Sequence, residues 1–186
     1  MNVKLLDLQA QYAPMREEIR KVIDEVCDSQ SLILGPHTAN FEKNLAAYCA
    51  IASEVEVNRE TGRPRLVRAV AAVDSGQAVN PDGLANQIEG AIVQSMSWTL
   101  YESVTFDDTR ITSIDWQTYP ILRFDAVPDR IDVHVINRPG QPFLGSGETG
   151  QGPAAASIAN AIANATGKRL RNLPLTRKRI KDAIDA

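Results

Sequence analysis

The sequence predicts an α+β fold: mixed strands packed by two main helices, at about 82–101 and 153–166, with a helical segment at the front. Three observations predict it. Leu84, Ile88, Ala91, Ile92, Met96 and Leu100 recur at helical spacing, as a buried helix requires. "RIDVHVI" (130–136) alternates strictly, which is a strand pattern. Turn chemistry separates such segments, with Asn80-Pro81-Asp82-Gly83 before the long helix and Pro139, Gly140 and Pro142 after the strand. At 186 residues and 44% apolar composition the chain can bury a core, as one domain or two small ones.

In chain order, residues 14–30 read as an amphipathic helix: Pro14 suits its first position and Met15, Ile19, Val22, Ile23 and Val26 form its stripe. Gly35-Pro36 breaks the chain, Thr38 can cap a second helix, and Phe41, Leu45 and Tyr48 share a face of it. "SEVEVNRETGRPRLVRAVAAVD" alternates on both sides of Arg59-Glu60-Thr61-Gly62, so it predicts a hairpin with a buried strand over 66–73. "SVTFDDTRITSIDW" predicts a second hairpin turning at Asp107-Asp108. The helix over 153–166 is rich in alanine and ends at Gly167. The closing run 168–181 holds seven basic residues and no acid, interrupted by Leu170, Leu173, Leu175 and Ile180. That mixture reads as a solvated closing segment rather than a nucleic-acid surface.

Net charge is −3, so no global field points to nucleic acid or a membrane as partner. No run of 18 apolar residues predicts membrane insertion, and the first residues lack the pattern of a signal peptide; the expected location is cytoplasmic. Cys27 and Cys49 lack C-x-x-C spacing and fall on apolar faces of predicted helices, where buried thiols are expected. His37 and His134 have no second ligand at metal-binding spacing. Trp98, Tyr101, Trp116 and Tyr119 are expected to pack in the core.

The segment "PFLGSGETGQGPAAASIANAI" (142–162) places one acid, Glu148, among Gly145, Gly147, Gly150 and Gly152. Glycines permit positive φ and clear space for a ligand to approach the backbone. Pro153 opens the following helix, whose N–H groups favour an anion nearby. Two readings stand side by side. In one, Glu148 complements the helix dipole on a surface turn; in the other it is a general base presented on a bare loop.

From about residue 52 to residue 180 the chain resembles the C-terminal part of the molybdenum-binding subunit of the xanthine dehydrogenase/aldehyde oxidase family. Three ordered blocks carry the resemblance: "AAVDSGQAVNPDGLANQIEGAIVQSMSWTLYE", "YPILRFDAVPDRIDVHVI" and "LGSGETGQGPAAASIANAIANATGKRLRNLPLT". The nearest subgroup acts on N-heteroaromatics such as nicotinate or isoquinoline, or on aldehydes. The resemblance implies an oxidoreductase that uses water as oxygen donor and a molybdenum-molybdopterin cofactor in a dinucleotide form. It makes Glu148, in the G-x-G-E loop, the catalytic base. Gln87 becomes a hydrogen-bonding partner of the pterin, set against its reading as a solvent-facing helix residue, and Gly145, Gly147 and Gly150 line the cofactor. The metal is held by the pterin, so no protein metal site is implied. An iron–sulfur subunit or another electron acceptor is the implied partner, with a small heteroaromatic or aldehyde as substrate. Ser75 and Thr149 depart from the family's usual Cys and Pro.

Residues 1–50 differ. "VKLLDLQAQYAPMREEIRKVIDEVCDSQSLILGPHTANFEKNLAAYCA" resembles the N-terminus of PLP-dependent nucleotide-sugar aminotransferases. The phosphate-cradling turn and Schiff-base lysine of that family are not matched, and Lys4, Lys21, Lys43, Lys168, Lys178 and Lys181 lie outside its lysine context; no PLP is expected. The sequence therefore reads as a chimera, with an aminotransferase-like head over 1–50 and a molybdenum hydroxylase C-terminal fragment over 51–186. The alternative reading is a catalytically incomplete fragment, or an aminotransferase remnant without its lysine.

Overall fold

The structure, a computed structural model, describes residues 12–29 and 47–186. The chain divides into two compact units, at Met1–Leu45 and Ala46–Ala186. In the first, a 3₁₀ turn at Ala13–Met15 leads into helix α1 (Arg16–Ser29), close to the predicted 14–30. Met15, Ile19, Val22 and Ile23 of its stripe are exposed. Cys27 on this helix is also exposed, against the expectation of a buried thiol. The predicted "ILGP" turn, the start of the second helix and His37 lie outside the described residues.

The second unit is a two-layer α+β module. Strands β1 (Tyr48–Val57) and β2 (Pro64–Asp74) form the predicted antiparallel hairpin, and β3 (Arg130–Val135) pairs parallel to β2, giving the order β1-β2-β3. Tyr48 and Cys49, expected on a helix, begin β1 instead. Pairing of Tyr48 with Asp74 and of Cys49 with Val73 overrides the helical spacing of Phe41, Leu45 and Tyr48. Half-burial at that position pushes the Cys49 thiol up from its ordinary value.

Helix α2 (Pro81–Leu100) begins where the Asn80 side chain accepts from Gly83 N at 3.0 Å, as turn chemistry predicts. Helix α3 (Gln151–Thr166) packs on β1 and α2, and its N-terminal half reaches the sheet through a 2.7 Å hydrogen bond between the Ser53 and Ser157 hydroxyls. Ile88, Ile92 and Met96 of α2 and Ile158 and Ile162 of α3 close the core with Leu66 and Val73 of β2. Gly167 ends α3 at φ 75°, the left-handed cap the sequence predicts.

Two segments depart from their predicted form. The region 103–116 forms only an isolated bridge, Phe106 with Ile111, rather than a hairpin. Its side chains capture the backbone: Asp107 Oδ1 accepts from Thr109 N and Arg110 N, and Asp115 Oδ1 accepts from Gln117 N and Thr118 N. Such local bonds compete with a strand ladder. Trp116, expected in the core, is exposed on this segment.

The closing run is not simply solvated. Thr176 caps helix α4 (Arg177–Asp185), whose Ile180 is buried together with Leu175. The β1–β2 turn fits against α4: Gly62 has φ +72°, and an added Cβ would lie 2.3 Å from Arg177 O. The Arg177 guanidinium donates to Thr61 O, Arg179 donates to the Pro174 carbonyl, and Lys178 pairs with Asp182.

Candidate functional site

The loops that follow β2 and β3 leave the carboxyl ends of two parallel strands, where open sheets place their ligand crevices. They are tied together residue by residue. Leu144 N donates to Ser75 O at 2.9 Å, Arg138 N to Gly76 O at 3.0 Å, and Ala78 N to Asn137 Oδ1 at 2.9 Å. Arg138 and Asp74 form an ion pair at 3.0 Å beneath these contacts. Gly76 is indispensable to this stitching, because its φ is +74° and a Cβ there would sit 1.9 Å from Pro142 O. Between the loops and the first turns of α2 lies a cleft of about 310 Å³, lined by Ser75, Asn80, Leu84, Gln87, Phe143 and Ser146 among others.

One face of α2 carries the glycine segment onward. Gln87 Nε2 donates to Gly147 O at 2.6 Å. Four residues on, Ala91 meets Gly150 so closely that a Cβ on the glycine would lie 3.0 Å from the Ala91 Cβ. Next along the face, Ser95 Oγ donates to Gln151 O at 3.1 Å, and Gln151 Nε2 donates to Gln94 Oε1 at 2.9 Å. Glu148 lies between these two clasps. Its carbonyl accepts from Gln151 N at 3.1 Å, and its side chain is exposed. Among the described residues, no hydrogen bond or ion pair engages the Glu148 carboxylate. The backbone is fixed on both sides and the acid is left open.

The sequence-predicted residues are therefore brought together in part. Gln87, Gly147 and Glu148 meet at one place. The expected positive φ is absent: none of Gly145, Gly147, Gly150 and Gly152 is among the positive-φ glycines. Their reasons differ from one another. Around Gly147 and Gly152 a Cβ would meet nothing within 4 Å, so these keep space clear, whereas Gly150 is buried against α2 and serves packing. Pro153 falls within the first turn of α3 rather than at its start, because the helix already begins at Gln151. Residues 94, 95 and 151 were not singled out by sequence reasoning. The signal was present in their spacing, since 87, 91, 94 and 95 lie on one helical face.

The donor set fits a molybdopterin cofactor. Gln87 is exposed, and with one amide N–H engaged by Gly147 it retains a second N–H and its carbonyl oxygen, a pair that suits a pterin edge. The clear space at Gly147 lies directly beside it.

The module is an α+β domain that holds an open acid on a loop gripped by α2, just ahead of α3. Comparison with known proteins specifies the cofactor: the chain belongs to the molybdopterin cofactor-binding domain family, whose model matches residues 31–128. That match begins inside the stretch resembling aminotransferases. A nicotinate dehydrogenase subunit of Pseudomonas putida is 44% identical over 139 residues, which are 75% of this chain and 12% of that protein. The beta subunit of isoquinoline 1-oxidoreductase of Brevundimonas diminuta is 35% identical over 129 residues, 69% of this chain and 16% of that one. Among solved structures, the aldehyde oxidoreductase of Desulfovibrio gigas superposes with a TM-score of 0.66 at 28% identity, covering 75% of this chain and 16% of that one. The chain thus spans less than a fifth of these relatives.

Proposed function

We propose that this chain carries the catalytic base of a molybdenum hydroxylase that oxidises an N-heteroaromatic or aldehyde with water as oxygen donor. The single observation that carries the reading is the exposed Glu148 carboxylate on a backbone fixed at both sides, by Gln87 at Gly147 and by Ala91, Gln94 and Ser95 at residues 150–151. Fixed backbone and open carboxylate are what a general base needs, because proton transfer depends on placement before strength. The cofactor supplies the two-electron chemistry when bound. Glu148 accepts the proton of the attacking water-derived oxygen, and Gln87 binds the pterin while holding the loop. Gly147 and Gly152 leave the approach clear, and Gly145 belongs to the same run.

The residues completing the substrate pocket are supplied from outside the aligned region, in keeping with the exposure of Glu148. A dinucleotide form of the cofactor, an iron–sulfur protein as electron acceptor and a cytoplasmic location complete the proposal. Residues 1–50 are read as an aminotransferase-like head with no PLP site, joined to the fragment over 51–186.

The test supplies the chain with the remainder of a molybdopterin-binding subunit and an iron–sulfur partner, measures molybdenum and pterin content, and compares nicotinate turnover with that of a Glu148→Gln variant. Turnover lower by about 10²–10⁴-fold in the variant, at unchanged molybdenum content, is the expected result. Unchanged turnover at equal loading would remove Glu148 from the chemistry.

A further inference from the structure

A second cleft, of about 480 Å³, opens where the end of α2 and the start of α4 meet the beginning of β2. It shares no residue with the cleft beside Gln87. Pro64, Leu100, Pro120 and Ile121 give it an apolar wall. Three arginines line it from segments remote in the chain, Arg63, Arg123 and Arg177, and Asp125 is the one carboxylate in its lining. Lys178 also lines it but is engaged by Asp182 at 2.7 Å. An apolar hollow of this size with a few converging polar groups has the make-up of a small-molecule site.

The arginines here are treated differently from those of the sheet. Arg65 and Arg68 of β2 and Arg130 of β3 each meet a carboxylate within 2.7 Å. Among the described residues, the Arg63 and Arg123 guanidiniums have neither an ion pair nor a hydrogen bond. Arg177 spends its Nε on Thr61 O at 2.8 Å, which leaves both terminal nitrogens to donate elsewhere. All three hang on anchored backbone. Asn58 N donates to Arg63 O and Ala126 N to Arg123 O, each at 3.0 Å, and the Gly62 turn lies against Arg177 O. Burial pushes the Tyr101 phenol up from its ordinary value, and Arg63 and Asp125 are both close enough to act on it. The phenol therefore stays a neutral donor beside the guanidiniums.

We propose that this cleft binds a small aryl dianion, with its carboxylates or phosphate on Arg63, Arg123 and Arg177 and its ring against the apolar wall. Charge selects a dianion: three guanidiniums less the Asp125 carboxylate leave two positive charges without a partner. The planar guanidinium fork matches carboxylate and phosphate alike, and its anchored backbone lowers the ordering cost of binding. The wall formed by Pro64, Leu100, Pro120 and Ile121 selects a ligand with an apolar body over a bare inorganic ion.

The test titrates the full chain by calorimetry with phthalate, phenyl phosphate and inorganic phosphate. The expected result is saturable one-to-one binding of at least one aryl dianion at millimolar concentration, with inorganic phosphate at least about tenfold weaker. The tighter of the two aryl ligands identifies the head group. An Arg63→Gln, Arg123→Gln pair should weaken binding at least about tenfold. An Arg169→Gln, Arg171→Gln pair, which removes the same charge outside the cleft, should leave it within about twofold. All four arginines are exposed, and circular dichroism checks the fold of both pairs. If the cleft pair does not fold, the Nε–H resonances of Arg63, Arg123 and Arg177 in the unaltered chain should move on titration while that of Arg65 stays. No saturable binding of either aryl dianion, inorganic phosphate bound as tightly, equal loss in both pairs, or unmoved resonances would each overturn the proposal. The Glu148→Gln result bears on none of these, so this site and the family reading stand or fall separately.

Discussion

A single glycine shows how local the control of the site is. Gly76 does not touch Glu148, yet the loop carrying that acid can pass only because Gly76 has no side chain and a φ of +74°. Gly76→Ala should destabilise the chain by about 2–3 kcal/mol, combining left-handed strain with the displacement of Pro142. Chemical denaturation would measure it. A loss below about 0.5 kcal/mol would mean that the two loops separate freely. Gly150 behaves differently, since its neighbour is a methyl group rather than a carbonyl. Sequence could show that the glycines were dense. It could not show that the demanding one was Gly76, because the clash partner, Pro142, is remote in the chain and only the fold brings it near.

At the scale of elements, legibility follows the source of the stabilising contacts. Helices α2 and α3 and strand β3 were readable because their apolar periods and caps are local. The head of β1 was not, because Tyr48 and Cys49 are fixed by partners on β2 rather than by their own neighbours. The failed hairpin at 103–116 was obscured in the opposite way, by Asp and Thr side chains that satisfy the backbone within a few residues. Asn80 is a clear local device, and Asn80→Ala should cost about 1 kcal/mol of stability, read from the same denaturation curves. The parallel pairing has its own anchor. Arg68, and then Arg130, hold the Asp132 carboxyl below its ordinary value of 3.8 through hydrogen bonds. A depressed folded value means that this stabilisation is complete above 3.8 and is lost as pH falls through the lower folded value. Asp132→Asn should therefore be less stable than the unaltered chain at about pH 6, and the gap should narrow as the medium is acidified below 3.8. A gap that persists in acid would assign the effect to packing instead.

For the whole molecule, the candidate site was legible as three residues and illegible as a device. Glu148, Gln87 and Gly147 could be named from motifs, but the helical face that grips residues 147–151 appears only when α2 and α3 are packed. The same packing explains why the acid is exposed: α2 supplies a floor and no roof. The C-terminal basic run acquires a structural purpose at this scale, with Arg177 securing the β1–β2 turn from outside and Ile180 joining the core. Truncation before Thr176 should lower the melting temperature by several degrees, because it removes buried Ile180 and the Arg177 hydrogen bond to Thr61. A calorimetric scan that shows no change would make α4 an appendage.

The parallel pairing of β2 with β3 also orders events in time. The hairpin of β1 and β2 closes across a short turn, with Val57 opposite Pro64, while Arg68 meets Asp132 only across 64 intervening steps of chain. Closing the longer loop carries the larger entropic cost and is expected to come later. The loop that presents Glu148 follows β3 in the chain, so the acid is expected to reach its station after that second closure. A cofactor meeting the nascent chain would find the hairpin before it found the base.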